Sequence, residues 1–156
     1  MRNNNMSKKE LVVSAIENGT VIDHIPADKL FQVIRALDLK DCDTQLLMGN
    51  NLVSKKLGKK GIIKCQDKFF KKDEINKIAL ITPYATLISI RNYDVVEKRR
   101  IDTPDTIEGM VKCFNPKCIT NNEDVLQKFN VIDKEDLKLQ CRYCQKITKK
   151  DTLTFL

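Results

Sequence analysis

The sequence predicts an α+β chain: an N-terminal antiparallel sheet with two helices on one face, followed by a small all-β domain. Three observations carry this. From Leu11 to Val96, short β-branched runs recur with just two helical-period segments between them, and no glycine-rich phosphate loop points to a doubly wound fold. From Glu97 to Asp105 the chain turns polar and charged around Pro104, which divides it into units 1–104 and 105–156. Beyond that point Leu137, Leu139 and Cys141 alternate, as do Leu153 and Phe155, and four cysteines fall in two close pairs.

Each element has its own reason. Leu11–Ile16 and Thr20–Ile25 are apolar runs split by Glu17-Asn18-Gly19, and Asn-Gly favours the positive dihedrals of a tight turn, so they read as a hairpin. Pro26 suits the first turn of a helix whose apolar positions are Leu30, Phe31, Val33, Ile34 and Leu37. Strands at Gln45–Met48 and Gly61–Cys65 flank a Gly/Lys-rich stretch expected to be a mobile loop. Asp73 is placed to cap a second helix carrying Ile75, Ile78 and Ala79, which Pro83 ends. Strands at Ala85–Ile90 and Tyr93–Val96 complete the sheet.

The cysteines Cys113, Cys118, Cys141 and Cys144 are spaced C-x4-C, a gap of 22 residues, then C-x2-C. Two such pairs assemble a tetrahedral zinc site from two chain reversals. Two disulfides are the alternative; the opening residues lack the apolar core of an export signal, so a reducing cytoplasmic setting, without membrane attachment, is expected and favours the metal. Four thiolates fill the coordination shell, so one zinc per chain would be structural, stapling a unit too short to fold on apolar burial alone.

A net charge of +7 and a pI near 9.1 suit an anionic partner. Lysines crowd at Lys55, Lys56, Lys59, Lys60 and Lys64, with basic groups again at Lys98, Arg99 and Arg100. Catalytic equipment is sparse. His24 is the one histidine, Cys42 and Cys65 are isolated, and Asp41 and Asp43 lie in a polar turn, so no enzyme activity is expected. His24 follows Asp23 on a strand; either it is a structural histidine or, beside lysines, it helps hold phosphate.

Three motifs in order, Gly19-Thr20-Val21-Ile22-Asp23-His24-Ile25-Pro26, Asn92-Tyr93-Asp94-Val95-Val96 and the cysteine quartet with Tyr143 inside its second pair, resemble the regulatory chain of aspartate carbamoyltransferase. The resemblance runs from about Leu11 to the C-terminus. It implies a non-catalytic chain with an N-terminal domain for nucleoside triphosphate effectors (CTP, ATP, UTP) and a C-terminal zinc domain that docks on the catalytic chain. It also implies pairing of two such chains through their N-terminal domains. By the same resemblance, Val13, Ala15 and Ile16 lie near the base, Asp23 and Lys64 near the ribose, and His24, Val95 and Lys98 near the phosphates. Lys60, Ile90 and Tyr93 would line the same pocket. Two residues depart from the pattern: Ser14 stands where an acidic residue is frequent, and Ile88 where an asparagine is common. The rival reading is a nucleic-acid-binding zinc ribbon, against which stand only nine aromatics (three Tyr, six Phe), none forming a stacking platform among the lysines.

Overall fold

The computed structural model describes residues 13–156. The first sheet has five antiparallel strands in the order β2-β3-β1-β4-β5, with β1 at Gly19–Pro26, β2 at Leu46–Ser54, β3 at Gly58–Gln66, β4 at Thr86–Arg91 and β5 at Asp94–Arg100. Two helices, α1 (Leu30–Ala36) and α2 (Lys72–Ile81), cover one face. Their Leu30, Val33, Ile78, Ala79 and Ile81 pack on Ile22, Ile25, Ile63 and Leu87 from the strands, all buried. Each such aliphatic side chain contributes about 1.5–3 kcal/mol when fully buried.

Among the described residues the opposite face has no helix. There Ile16, Val21 and Ile90 form a smaller apolar cluster with Leu47, Ile62 and Ile88. A second, four-stranded antiparallel sheet follows in the order β6-β7-β8-β9: β6 at Thr106–Glu108, β7 at Lys128–Asp133, β8 at Lys138–Cys141 and β9 at Ile147–Lys149. Its core joins Ile107, Val111, Phe129 and Leu139 to Cys113, Cys118 and Cys141. Leu80 of α2 belongs to this second core rather than to the first, and Phe155 packs against both. Among the described residues no helix is long and apolar enough to cross a membrane.

Five expectations are corrected. Pro26 is not in the first turn of α1: it ends β1 opposite Lys60, and the helix begins at Leu30. The hairpin of Leu11–Ile16 with Thr20–Ile25 does not form: residues 13–16 are not a strand, and 11 and 12 lie outside the described residues. β1 is instead the central strand, paired on both sides with β3 and β4, so no edge is left for a further strand. Gly19 serves close packing rather than a hairpin turn: it sits at φ 137°, and a Cβ there would collide with the carbonyl of Cys65. The Gly/Lys-rich stretch is mostly strand, extending β2 and β3 into a long hairpin closed over Lys55–Leu57, with Gly58 at φ 76°.

Asp73 is not the cap of α2. Lys71 precedes the helix, and its backbone N–H donates to the Glu74 carboxylate at 2.9 Å, so the acidic partner comes from inside the first turn. Leu137 and Leu153 lie outside strands; Leu137 turns the chain at φ 28°, and Phe155 bridges Val111 alone.

Candidate functional site

The four cysteine sulfurs lie within 4.8 Å of one another, and Cys113, Cys118 and Cys141 are buried. Cys113 and Cys144 are 3.6 Å apart, and Cys118 and Cys141 3.7 Å. A disulfide needs about 2.05 Å, whereas the edge of a tetrahedron with ~2.3 Å metal–sulfur bonds is about 3.8 Å. The cage therefore fits a metal ion, with all four sulfurs as ligands.

Local sequence shapes both turns. In the first, the Cys118 N–H donates to the Asn115 carbonyl at 3.0 Å. The Asn121 side chain donates to the Cys113 and Asn115 carbonyls at 2.8 and 2.7 Å, and that of Asn122 to the Pro116 and Cys118 carbonyls at 3.0 and 2.8 Å. In the second, Gln145 adopts φ 65° and closes back on the Cys141 carbonyl at 3.1 Å. The Thr120 hydroxyl donates to the Cys118 sulfur at 3.2 Å. Thr120, Asn121 and Asn122 went unnoticed in the sequence, although they follow Cys118 directly: the 3-10 turn at Ile119–Asn121 folds their side chains back over the first pair.

Burial pushes the Cys113 and Cys141 thiols up, because a lone buried thiolate is poorly solvated. At Cys144 burial also acts upward, but the Lys146 N–H, the Asn115 side chain and the neighbouring thiols bring it down to about 7. Four thiolates in one cage repel one another, and a cation is what lets them ionise together.

The second candidate site lies on the helix-free face of the first sheet. Lys64 of β3, Val21 of β1, Ile88 of β4 and Lys98 of β5 form one row across four strands. At roughly 4.8 Å per strand step, the two lysines stand about 14 Å apart with an apolar floor between them. Beside this row β1 bulges at Asp23 and His24, with His24 at φ 57°. A bulge re-aims its side chains, and here it sets both polar residues at one place.

The Asp23 carboxylate accepts from the Lys60 ammonium at 2.8 Å and from the His24 backbone N–H at 2.6 Å. The His24 ring Nδ1 lies 3.0 Å from the Thr86 hydroxyl. Burial pushes the Asp23 carboxyl up, yet Lys60 and the His24 N–H outweigh it and hold the group below its ordinary value. The Lys64 ammonium donates to the Val13 and Ser14 carbonyls, both at 2.9 Å, and burial lowers its pKa, partly offset by Asp23.

The residues suggested for a nucleotide are thus partly gathered. Val13, Lys60 and Lys64 line one groove of about 540 Å³ together with Leu52 and Ile62, which were not foreseen. Ile16 and Ile90 touch through the apolar cluster, and Tyr93 joins the same neighbourhood because its N–H donates to the Glu17 carbonyl at 2.8 Å. Val95 and Lys98 lie farther out on the exposed edge strand, and Ala15 is exposed. Thr86 was missed because its contact with the His24 ring depends on strand register.

Comparison with known proteins agrees with this division. Residues 11–102 match the family model "Aspartate carbamoyltransferase regulatory chain, allosteric domain", and residues 105–154 match the metal binding domain of the same chain. An aspartate carbamoyltransferase regulatory chain of Parabacteroides distasonis is 54% identical over 147 residues, covering 94% of this chain and 96% of its own length. One from Bacteroides thetaiotaomicron is 51% identical over 150 residues (96% and 98%), and one from the archaeon Thermococcus sibiricus 51% over 143 (92% and 95%). With both parts matched and half the residues shared along nearly the whole length, the chain belongs to the family of aspartate carbamoyltransferase regulatory chains, the non-catalytic partners of that enzyme.

Proposed function

We propose that this chain binds nucleoside triphosphates, CTP, ATP or UTP, on the helix-free face of its first sheet and passes the effect to the catalytic chain of aspartate carbamoyltransferase. It thereby tunes the entry of aspartate into pyrimidine biosynthesis in the cytoplasm, pairing with a second copy of itself through the first domain. The observation that carries the reading is that Lys60, which lines one groove with Lys64, also holds Asp23 and so ties that groove to the β1 bulge carrying Asp23 and His24.

Lys60, Lys64 and Lys98 supply the positive charge that a triphosphate needs, with the His24 ring beside them as a hydrogen-bonding group. Asp23 is an acceptor for ribose hydroxyls once a phosphate draws Lys60 away from it. The carbonyls of Val13 and Ser14 face the Lys64 ammonium and belong to the segment that would read the base edge. Because Ile88 is apolar and Ser14 uncharged, discrimination between bases rests on backbone groups, and charge dominates affinity.

The cage of Cys113, Cys118, Cys141 and Cys144 holds zinc in this reading, the ion that suits four thiolates in a closed tetrahedron. The zinc domain then presents exposed Phe114, Ile119 and Tyr143 around the two turns to the catalytic chain. An effector alters the neighbour only if it binds one quaternary state better than the other. The physical link between the domains is α2, whose Leu80 sits in the zinc-domain core, with Phe155 touching both cores.

Calorimetric titration of CTP and ATP into the metal-loaded chain, beside His24→Ala and Lys98→Ala, tests the nucleotide reading. Saturable binding that weakens in both variants is expected; no binding by the folded wild type would overturn it. For the interface, chelation should release the catalytic chains from the assembly, and an assembly that stays intact after proven metal loss would refute that role.

A further inference from the structure

The helices cover only part of their face of the first sheet. Over β4 and β5 the helix side is open, and two cavities of about 360 and 450 Å³ lie along it. Both are lined by Phe70, Ile75 and Arg99, so they form one continuous trough beside β5. Leu87, Val96 and Phe69 give part of the floor and wall an apolar character.

The charges around the trough are unbalanced. Arg91, Arg99, Arg100 and Lys72 face it against Glu97 and Asp102. Glu97 is already engaged by Arg99 at 3.6 Å. Arg91 stacks on the Phe69 ring with its guanidinium carbon 4.0 Å from the centroid, and Arg100 stacks on Tyr84 at 4.2 Å. Among the described residues neither Arg91 nor Arg100 meets a carboxylate within 4.0 Å. Stacking fixes the plane of a guanidinium and removes much of the freedom that carboxylate binding would otherwise freeze, leaving its N–H fork free.

Among the described residues β5 is also the last strand of the sheet, paired only with β4, and every residue from Asp94 to Arg100 is exposed. Its outer edge offers unpaired backbone donors and acceptors. We propose that this trough docks an extended acidic polypeptide segment of a partner protein, which adds along β5 and places carboxylates on Arg91 and Arg100 and apolar side chains over Leu87 and Val96. The length and openness of the trough suit an extended chain better than a compact small molecule, and the sign of its surplus charge selects an acidic one. Leu87, Arg91 and Arg99 lie on the opposite side of the sheet from the Lys60–Lys64 groove, and Arg100, paired with Thr86, reaches the trough from its rim on the edge strand.

The test uses the full metal-loaded chain and a fluorescein-labelled (Glu-Val)4 peptide, read by anisotropy. Saturable binding is expected, weakened on the order of tenfold or more in the double variant Arg91→Glu/Arg100→Glu, since each loses a charge-assisted hydrogen bond. Phe69→Leu, which keeps the charge but frees Arg91, should weaken binding a few-fold. Saturating CTP should leave it unchanged. Absence of saturable binding, equal binding of a (Lys-Val)4 peptide, or displacement by CTP would overturn the proposal. So would equal affinity in a double variant shown by circular dichroism to be folded. Sedimentation of the same variant covers the other occupant: loss of self-association would assign the trough to a second copy of this chain. The double variant decides the outcome even if CTP does not bind at all.

Discussion

The two sheets solve the same problem with different materials. The first buries fifteen residues in one cluster, nearly all aliphatic, supplied by β1, β3, β4, the two helices and the segments beside them. The second is smaller, has no α-helix, and counts three cysteines among its ten buried core residues. A sheet with a self-sufficient apolar core can leave its other face for charges such as Lys60 and Lys64. A sheet whose core includes thiols holds together through whatever those thiols bind, and its face is fixed only as firmly as that ion.

Removing the metal should break this contrast most visibly. Chelation, or Cys113→Ser, is expected to unfold the second domain entirely, exposing 105–156 to proteolysis while the first sheet keeps its circular dichroism. Survival of the second domain with metal loss proven by mass spectrometry would erase the distinction. Leu80→Ala comes next, at about 2–5 kcal/mol, because it empties a fully buried position. The expected signature is lower stability of the second domain although the substitution lies in the first, seen as an earlier unfolding step in residues 105–156.

Gly61→Ala sharpens the account of the first domain. A Cβ there would stand 2.9 Å from Leu30 Cδ1 and 3.1 Å from Asn50 Oδ1, so α1 must shift, at a cost of about 1–3 kcal/mol by chemical denaturation. The smallest effect is Asp23→Asn, about 1–2 kcal/mol near neutral pH. The folded-state pKa of Asp23 lies below the unfolded value of about 3.9. Its contribution is therefore present above that value and lost as pH falls through the lower, folded one. The gap in stability between wild type and variant should close below about pH 4; a gap unchanged there would mean that the Lys60 contact does not stabilise the fold.

What could be read from the sequence follows the same division. The cysteine spacing foretold that all four thiols meet in one cage, because two turns with fixed offsets carry their geometry locally. Both helices were legible from Leu30, Val33 and Ile34 and from Ile78 and Ala79. The placement of β1 was not, since Asn18-Gly19 reads as a hairpin turn until one knows that Gly19 must pass close to Cys65 on a partner strand. The contact of Asp23 with Lys60 spans 37 positions and depends on a bulge, which no local pattern announces. Leu80 looked like an ordinary helix residue, because nothing in its spacing says that a second domain will cover it.

Residues Ile78, Ala79, Leu80 and Ile81 are all buried in succession, so the last turn of α2 has no outward side. For the history of the chain this means that α2 cannot drift in length. One residue inserted before Leu80 would swing it by about 100° around the helix axis, withdrawing it from the core of the second sheet. The Lys55–Leu57 tip of the β2–β3 hairpin, exposed and bound to neither core, is where lineages can gain or lose residues freely.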